Sequence, residues 1–225
     1  MTMILAYTWK DKAIIMADSR ESAKNDMGDM VDYNDNQEKI LPVQSHLVFA
    51  HAGLRRIPYV QGGYFDLNEV TEHFMDQNQG ILTKATTEQL LRGIVTTWNG
   101  TFIESLGRDP LSARNRFSFL LARFETIDGE LMPRFSTYQS YVQGHPKYKF
   151  CGEKAVIGDD ECYPIITPYF NKDTEQMTFE EALAFYLEGF GKVMEKVETI
   201  GGPIDIYVLD KKSEDSYWLR RKTNA

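Results

Sequence analysis

Two apolar runs stand almost side by side at the amino end of the chain. They are MILAYTW over residues 3–9 and AIIMAD over residues 13–18, separated by three polar residues. Both runs are rich in residue types that favour strands, and so short a polar connection predicts a β-hairpin. Neither run alternates apolar with polar residues, which indicates that both faces of the hairpin are covered by other layers of the protein.

The rest of the chain predicts grouped strands and grouped helices. A polar loop over residues 21–36 precedes a second strand pair, and Asp128-Gly129 is a strong hairpin turn signal further on. The predicted strands cover residues 39–43, 46–53, 116–125, 130–140, 148–151, 204–210 and 217–221. Capping boxes at residues 86–89 and 178–181 predict helices that end near residues 107 and 197, and a helix with a late or irregular start is expected within residues 56–77.

The order of these elements indicates the fold class. The strands come in antiparallel pairs and the helices lie between the groups, which favours stacked layers over a βαβ winding. We expect an α+β fold, a four-layer αββα sandwich of two antiparallel sheets. No repeat, low-complexity tract or linker interrupts the sequence, so residues 1–225 are expected to form a single domain.

Charge and hydropathy exclude several classes of protein. The net charge is −8 and there is no long basic block, so nucleic acid and anionic membranes are poor candidate partners. The apolar runs are far too short to span a bilayer, and the amino end lacks the pattern of a signal peptide. Cys151 and Cys162 have neither CxxC spacing nor a paired histidine nearby. We therefore expect a cytoplasmic protein with reduced thiols, no disulfide and no metal site.

Hairpin geometry gathers polar groups at one end of the first strand pair. If the two strands turn around the three polar residues, the numbers of paired positions sum to about 20 to 22, so Thr2 lies across from Asp18 to Arg20. Lys39 opens the next strand and could reach the same end, where Asp18 would hold it. Gly53 ends the fourth strand and could offer its backbone N–H to an oxyanion.

A threonine at this place has a chemical use. Its hydroxyl becomes an effective nucleophile when a neighbouring base takes its proton. Removal of Met1, which is reasonable because the next residue is small, would free an α-amine on Thr2 itself, with a reference pKa of about 8. A nearby lysine would lower the proton affinity of this hydroxyl–amine pair. A nucleophile, a base, electrostatic support and an oxyanion donor would then all be present.

Both ends of the sequence resemble those of a known family. The start, TMILAYTWKDKAIIMADSRES followed by EKILPV and LVFAHAG, resembles a proteasome β-subunit or one of its bacterial relatives. The end, EEALAFYLEGFGKVMEKVETIGGPIDIYVLDKK, resembles the last helix and strands of the same family, and GGPIDIYVLD in particular is similar to the bacterial Anbu (ancestral β-subunit) group. The middle of the chain follows only in the order of its elements. The resemblance implies an N-terminal nucleophile (Ntn) hydrolase with the αββα fold.

The resemblance also implies roles for individual residues. Thr2 would be the nucleophile and its freed amine the general base, while Arg20 would be a structural support. The other catalytic residues would be the charged pair Asp18 and Lys39 and the oxyanion donor Gly53. Ser22 would hold an extended substrate as an added strand. The pocket for the substrate residue before the cut would be polar and partly cationic, with a preference for acidic or polar side chains, and would be lined by Glu21, Gln37, Leu41, His51 and Arg55.

Two features of the family have no direct counterpart in this chain. The family has a Gly-Ser-Gly after the central strands, and the matching stretch here is either CGEK at residues 151–154 or IGDD at residues 157–160, neither of which holds a serine. Proteasome β-subunits also place an aspartate and a serine before the final Gly-Gly, where this chain has Val197 and Ile200. Both changes would remove hydrogen bonds from the freed amine, which could weaken or abolish peptidase activity.

The sequence therefore favours a threonine-type peptidase or amidase. The family implies that it assembles into a self-compartmentalising ring of identical chains and cleaves peptides or unfolded proteins. We expect that this chemistry needs no metal or organic cofactor. The alternative is a catalytically silent proteasome-like shell or scaffold subunit, which the missing serine and a retained Met1 would favour. A third possibility is an amidohydrolase that acts on small amides.

Overall fold

A computed structural model of the chain describes residues 2–24, 30–53, 56–58, 64–106, 117–142, 145–212 and 215–222. The strands are β1 Met3–Trp9, β2 Lys12–Asp18, β3 Glu21–Lys24, β4 Met30–Asn34, β5 Ile40–Gln44, β6 Leu47–Gly53, β7 Arg56–Pro58, β8 Tyr64–Asp66, β9 Phe117–Ile127, β10 Glu130–Val142, β11 His145–Gly152, β12 Lys154–Gly158, β13 Ile204–Asp210 and β14 Tyr217–Arg220. The helices are α1 Leu67–Gln77, α2 Gln79–Leu82, α3 Thr87–Leu106, α4 Tyr163–Phe170 and α5 Phe179–Lys196, with a short 3₁₀ turn at Asp160–Cys162.

Two five-stranded sheets form the centre of the protein. Their strand orders are β12-β1-β2-β13-β14 and β11-β10-β9-β6-β5, and the short strands form two separate pairs, β3 with β4 and β7 with β8. Every strand pairing in the described part of the chain is antiparallel, as the sequence predicts. No helix in the described ranges is both long enough and apolar enough to cross a membrane.

The first hairpin is central because it is covered on both faces. Ile4 pairs with Ala17, and the strands turn at residues 10–11, within the predicted register. Ile4 and Ala6 face the other large sheet, whereas Met3 and Leu5 face the helices. Alternate side chains of a strand point to opposite faces. Two buried faces therefore require the two uninterrupted apolar runs that open the sequence.

Three apolar clusters show how the layers are stacked. One cluster contains residues of both large sheets, for example Ile15 of β2 and Leu120 of β9. A second joins the sheet of β6 and β9 to α1 and α3, with Trp98 fully buried among aromatic rings. The third joins the sheet of β1 and β2 to α4 and α5, where Tyr7 stacks on Tyr186 at 3.9 Å. These contacts fit the expected helix–sheet–sheet–helix order.

Both predicted capping boxes are present. The N–H of Glu181 donates to the Thr178 hydroxyl at 3.2 Å, and the N–H of Thr178 donates to the Glu181 carboxylate at 2.8 Å. Thr86 and Gln89 exchange the same two bonds at the start of α3. These reciprocal bonds satisfy backbone donors that a helix start otherwise leaves open.

Four local predictions were incomplete. The segment 21–36, predicted as a loop, contains β3 and β4, and the helix predicted within residues 56–77 begins only at Leu67, after β7 and β8. Strand β12 and helix α4 were not predicted. Helix α4 has a proline at its start and Pro168 inside it, a composition that argues against a helix. In α4, packing of Ile166 against the third cluster outweighs this low propensity.

Candidate active site

A buried ion pair joins the ends of the two large sheets. Asp18 ends β2 and Lys39 comes directly before β5, and the lysine Nζ lies 3.1 Å from Oδ1 of the aspartate. The side chains are 0% and 5% exposed, respectively. The lysine Nζ also donates to the carbonyl of Arg20 at 2.5 Å. Two charges taken out of water need both pairing and further hydrogen bonds, and this pair has both.

Backbone N–H groups from three segments surround the Asp18 carboxylate. Oδ1 accepts from the N–H of Met3 at 3.0 Å. Oδ2 accepts from the N–H groups of Arg20 and Gly201 at 3.2 Å each. These donors belong to the start of β1, the stretch directly after β2 and the turn before β13. Asp18 therefore fixes three strand ends relative to one another and to Lys39.

Burial changes the acid–base behaviour of Lys39. Desolvation disfavours the ammonium and lowers the pKa of Lys39 below its ordinary value, although the negative charge of Asp18 opposes this effect. The positive charge of Lys222 lowers the same pKa further. A lysine with a lowered pKa gives up its proton more readily than a surface lysine.

Thr2 lies at the same end of the sheet, directly before β1, and is only 3% exposed. Its carbonyl accepts from the N–H of Asp159 at 3.0 Å. The next N–H along the chain, that of Met3, is the one that donates to Asp18. Hydrogen bonds therefore fix both sides of the peptide group after Thr2, and the structure brings Thr2, Asp18 and Lys39 together with Asp18 as their common neighbour.

A glycine allows the chain to approach Thr2 this closely. Gly158 pairs with Met3 and has a φ of +136°, and a Cβ at this position would overlap the carbonyl oxygen of Thr2. Gly152, in contrast, pairs with Phe135 in the other sheet. Of the two stretches that the sequence left open, IGDD is therefore the one beside Thr2.

Asp159 and Thr199 form a second buried polar pair at this site. The hydroxyl of Thr199 donates to Oδ2 of Asp159 at 2.6 Å, and the N–H of Glu161 donates to Oδ1 at 3.2 Å. Asp159 and Thr199 are 3% and 4% exposed. Sequence reasoning did not identify Thr199 as a site residue and weighed Asp159 only as one of two alternatives. The two residues are far apart in the chain, and no local pattern connects them.

Thr199→Val is expected to lower the free energy of unfolding by about 1 to 2 kcal/mol, because it leaves the Asp159 carboxylate buried without its hydroxyl donor. Valine has nearly the same shape, so the loss reports the hydrogen bond rather than a cavity. Urea denaturation measures the change. Thr199→Ser keeps the hydroxyl and should retain most of the stability; an equal loss in both variants would contradict this account.

Arg20 supports the site from the outer side. Its guanidinium forms two hydrogen bonds with the Asp35 carboxylate, at 2.7 and 2.8 Å, and donates to the carbonyl of Glu198 at 3.0 Å. These bonds raise the pKa of Arg20 and lower that of Asp35. A Cβ on Gly201 would overlap the guanidinium, so this glycine makes room for it. Arg20 thereby ties the turn before β13 to the segment after β4.

Three of the residues expected to bind substrate lie close to the ion pair. Glu21 and Ser22 are on β3, and the charge of Glu21 acts on Lys39. The N–H of Gln37 donates to the carbonyl of Ser19 at 2.9 Å, which places Gln37 beside the end of β2. The structure therefore places Glu21 and Gln37 near the Asp18–Lys39 pair, with Ser22 next to Glu21 on β3.

The remaining expected residues lie along β5 and β6. Leu41 packs towards α1 and α3, on the helix side of its sheet. His51 is 4% exposed, and its N–H donates to the carbonyl of Lys39 at 3.1 Å. Gly53, the last residue of β6, has a φ of +93°. Arg55 lies outside the described residues.

Cys162 lies close to the site but cannot serve as its nucleophile. It is a free, buried cysteine whose N–H donates to the carbonyl of Asp159 at 3.0 Å. Burial, followed by the negative charges of Asp159 and Asp18, raises the pKa of its thiol far above the ordinary value. A thiol in this environment stays protonated and unreactive. Among the described residues, no group of three or more His, Cys, Asp or Glu side chains converges as a metal site would require.

No protein-family model matches the chain, and neither does any curated protein. Among solved structures, the chain is similar to Anbu from Hyphomicrobium sp. strain MC1, in a form described as a Gly-1 mutant. The superposition has a TM-score of 0.61 and covers 96% of this chain and 85% of the Anbu chain. The two proteins share a fold. At 15% identity the likeness concerns the fold alone, and it confirms the predicted resemblance to Anbu and the α+β class with antiparallel sheets.

Proposed function

We propose that the protein is a threonine-type Ntn hydrolase, a peptidase or amidase whose nucleophile is the hydroxyl of Thr2 after removal of Met1. The observation that supports this most directly is the position of Asp18. A single oxygen, Asp18 Oδ1, binds both the ammonium of Lys39 and the N–H that follows Thr2. Asp18 thus binds both the backbone next to the proposed nucleophile and the cation.

In the proposed reaction the freed α-amine of Thr2 takes the proton of the Thr2 hydroxyl, and Oγ1 attacks the carbonyl carbon of the substrate. A C–O bond forms and the carbonyl oxygen becomes an oxyanion, for which the N–H of Gly53 is the proposed donor. Collapse of this intermediate breaks the C–N bond, and the leaving amine takes the proton held by the Thr2 ammonium. A water molecule, which gives a proton to the same amine, then attacks the ester carbonyl carbon; the bond from this carbon to Oγ1 breaks, the acid product leaves, and Oγ1 takes the proton back from the ammonium.

Two buried groups would support the proton transfers. The ammonium of Lys39 would stabilise negative charge that develops on Oγ1, an effect that is strong in a site from which water is excluded. Asp159 would take the place of the serine that the family uses to hold the freed amine. Its N–H already binds the Thr2 carbonyl at 3.0 Å, and its carboxylate is held in place by Thr199 and the N–H of Glu161.

The proposed substrates are peptides or unfolded proteins with an acidic or polar residue before the cut. The pocket residues Glu21, Gln37 and His51 are polar, and Lys39 adds a positive charge nearby. In a panel of fluorogenic peptides that differ only at this residue, we expect acidic or polar residues to be cleaved several-fold faster than leucine or phenylalanine. Small aryl amides in the same panel test the amidohydrolase form of the proposal. Fastest cleavage after large apolar residues would contradict the proposed pocket.

We further propose that identical chains assemble into a ring that encloses the site. The proteasome-like fold supports this assembly, since its helices lie on the outside of the sheets and are free to meet other copies. The mass of the protein in solution, measured by light scattering across a dilution series, tests it. A mass that stays that of one chain at every concentration would contradict ring assembly.

A catalytically silent scaffold subunit is the alternative function, and one observation favours it. Val197 and Ile200, which stand where the family has an aspartate and a serine, are 2% and 0% exposed. They belong to the apolar cluster beneath α5 and offer no hydrogen bond to a freed amine. In such a protein the Asp18–Lys39 pair would serve stability alone, and no substrate would be cleaved.

A further inference from the structure

The segment that follows β14 approaches the ion pair from the carboxyl end of the chain. The Arg221 guanidinium lies 2.6 Å from Oε1 of Glu38, the residue directly before Lys39. Both partners of this contact are about half exposed. The next side chain, that of Lys222, is only 6% exposed. Arg221 therefore contacts the segment that contains Lys39 at the surface, and the side chain of the next residue, Lys222, is buried.

Inside the protein Lys222 has a buried carboxylate as its partner. Its N–H donates to Oδ1 of Asp205 at 2.7 Å, and its Nζ lies 4.0 Å from Oδ2. The Asp205 side chain is 2% exposed. On β13, Asp205 pairs with Ala17 of β2, one position along the ladder from Asp18. A second buried ion pair thus lies next to Asp18–Lys39.

An aromatic contact anchors the strand that delivers Lys222. Trp218 of β14 packs edge-on against Tyr207 of β13 with ring centroids 5.1 Å apart, and Tyr207 belongs to the cluster between the two sheets. The Arg221 guanidinium lies over the Trp218 ring, 4.9 Å from its centre. The position of Lys222 therefore follows from packing of the sheet.

We propose that Lys222, held by Asp205 and by the Arg221–Glu38 contact, is a positioning residue of the threonine site that places a second positive charge beside Lys39. That this charge assists catalysis rests on the proposed function. That Lys222 places a charge beside Lys39 does not. Burial is the main cause of the lowered pKa of Lys39, and the charge of Lys222 lowers it further. Lys222 thereby adds to the positive potential with which the ammonium of Lys39 would stabilise negative charge on Thr2 Oγ1.

Several other charged groups lie around the two lysines, and the pKa of Lys39 reflects the sum of the charges that act on it. Besides Lys222, the charged groups around Lys39 are Asp18 on β2, Glu21 on β3 and Asp35 after β4. The groups around Lys222 are Asp205 on β13, Glu38 before β5 and Arg221. A variant that removes only Lys222 leaves all of them in place, so a changed pKa of Lys39 reports the charge of Lys222.

The test is an NMR titration of Lys39 in protein labelled with ¹³C at the lysine ε-carbons, with Lys39→Arg used to assign its signal. In Lys222→Met we expect the pKa of Lys39 to rise by roughly 0.5 to 1 pH unit, because a nearby like charge has been removed. Lys222→Arg retains the charge and should keep the pKa of Lys39 close to that of the wild type. An unchanged pKa of Lys39 in folded Lys222→Met would overturn the proposal.

Two further variants make the result specific. Lys212→Met removes an exposed lysine near Asp210, at the opposite end of β13, and should leave the pKa of Lys39 unchanged. Should Lys222→Met not fold because Asp205 is left buried without its cation, Asp205→Asn/Lys222→Met removes both charges. Measured against Asp205→Asn, which lacks the same carboxylate but keeps Lys222, the pKa of Lys39 must rise in this double variant, and no rise would overturn the proposal.

The titration is independent of catalysis. A protein that cleaves no peptide yet shows the expected rise contradicts the proposed function and supports the charge placed by Lys222. A protein that cleaves peptides yet shows no rise supports the proposed function and rejects the role of Lys222. The two claims therefore fail separately.

Discussion

Thr2→Ala is expected to reduce hydrolysis of any substrate of the mature protein by a factor of roughly 10³ or more, because it removes the only oxygen that the proposed mechanism places at the nucleophile position. The variant should fold normally. The hydrogen bonds that hold this peptide group are made by the carbonyl of residue 2 and by the N–H of Met3, and the substitution leaves both groups in place. Initial rates on the best fluorogenic peptide, together with an unfolding curve, measure the two effects.

Thr2→Ser is the matched control for this variant, because it keeps both the hydroxyl and the α-amine. It should retain measurable hydrolysis, although the loss of the methyl group frees the side-chain torsion and lowers the rate. Activity of Thr2→Ala within tenfold of the wild type would show that another group attacks the substrate, and the proposed mechanism would then be wrong.

Lys39→Met should both destabilise the protein and remove its activity. The substitution leaves the carboxylate of Asp18 buried without its cation, and breaking a buried pair in this way costs about 3 to 5 kcal/mol. We expect a loss near the lower end of this range, since the N–H groups of Met3, Arg20 and Gly201 still bind the carboxylate. Urea denaturation measures the stability, and peptide hydrolysis measures the activity.

The double variant Asp18→Asn/Lys39→Met separates the two roles of the pair. It removes both charges, so it should recover a large part of the lost stability. It should not recover hydrolysis, because the cation beside Thr2 is still missing. A double variant as unstable as Lys39→Met would show that the cost does not come from an uncompensated charge. A double variant with restored hydrolysis would show that Lys39 has no catalytic role.

The sequence predicted the structure best where a pattern of neighbouring residues specifies it. The apolar runs of β1 and β2, the capping boxes at Thr86 and Thr178 and the Asp128-Gly129 turn each specify structure within a few residues. Asp128 and Gly129 have φ values of +53° and +85°, as a tight hairpin turn of this kind requires. In these places the local preference of the residues matches the structure that the fold requires, and the predictions are confirmed.

The missed elements depend on contacts between distant parts of the chain. Strand β12 has only five residues, and its pairing with β1 joins segments that are far apart in the sequence. The same is true of the site. Hairpin register was enough to place Thr2 near Asp18, but Asp159 reaches Thr2 only through β12. Lys222 reaches the Lys39 segment only through the pairing of β13 with β14. Neither residue stands in a pattern that points to the site.

Intact-mass spectrometry after treatment with a threonine-reactive β-lactone or epoxyketone tests the central claim most directly. The account predicts a chain that lacks Met1 and carries a single adduct, mapped by peptide sequencing to residue 2 and absent from Thr2→Ala. A chain that retains Met1 and carries no adduct, or an adduct on another residue, would contradict it. If no adduct forms, the proposal of a silent scaffold subunit replaces that of a hydrolase.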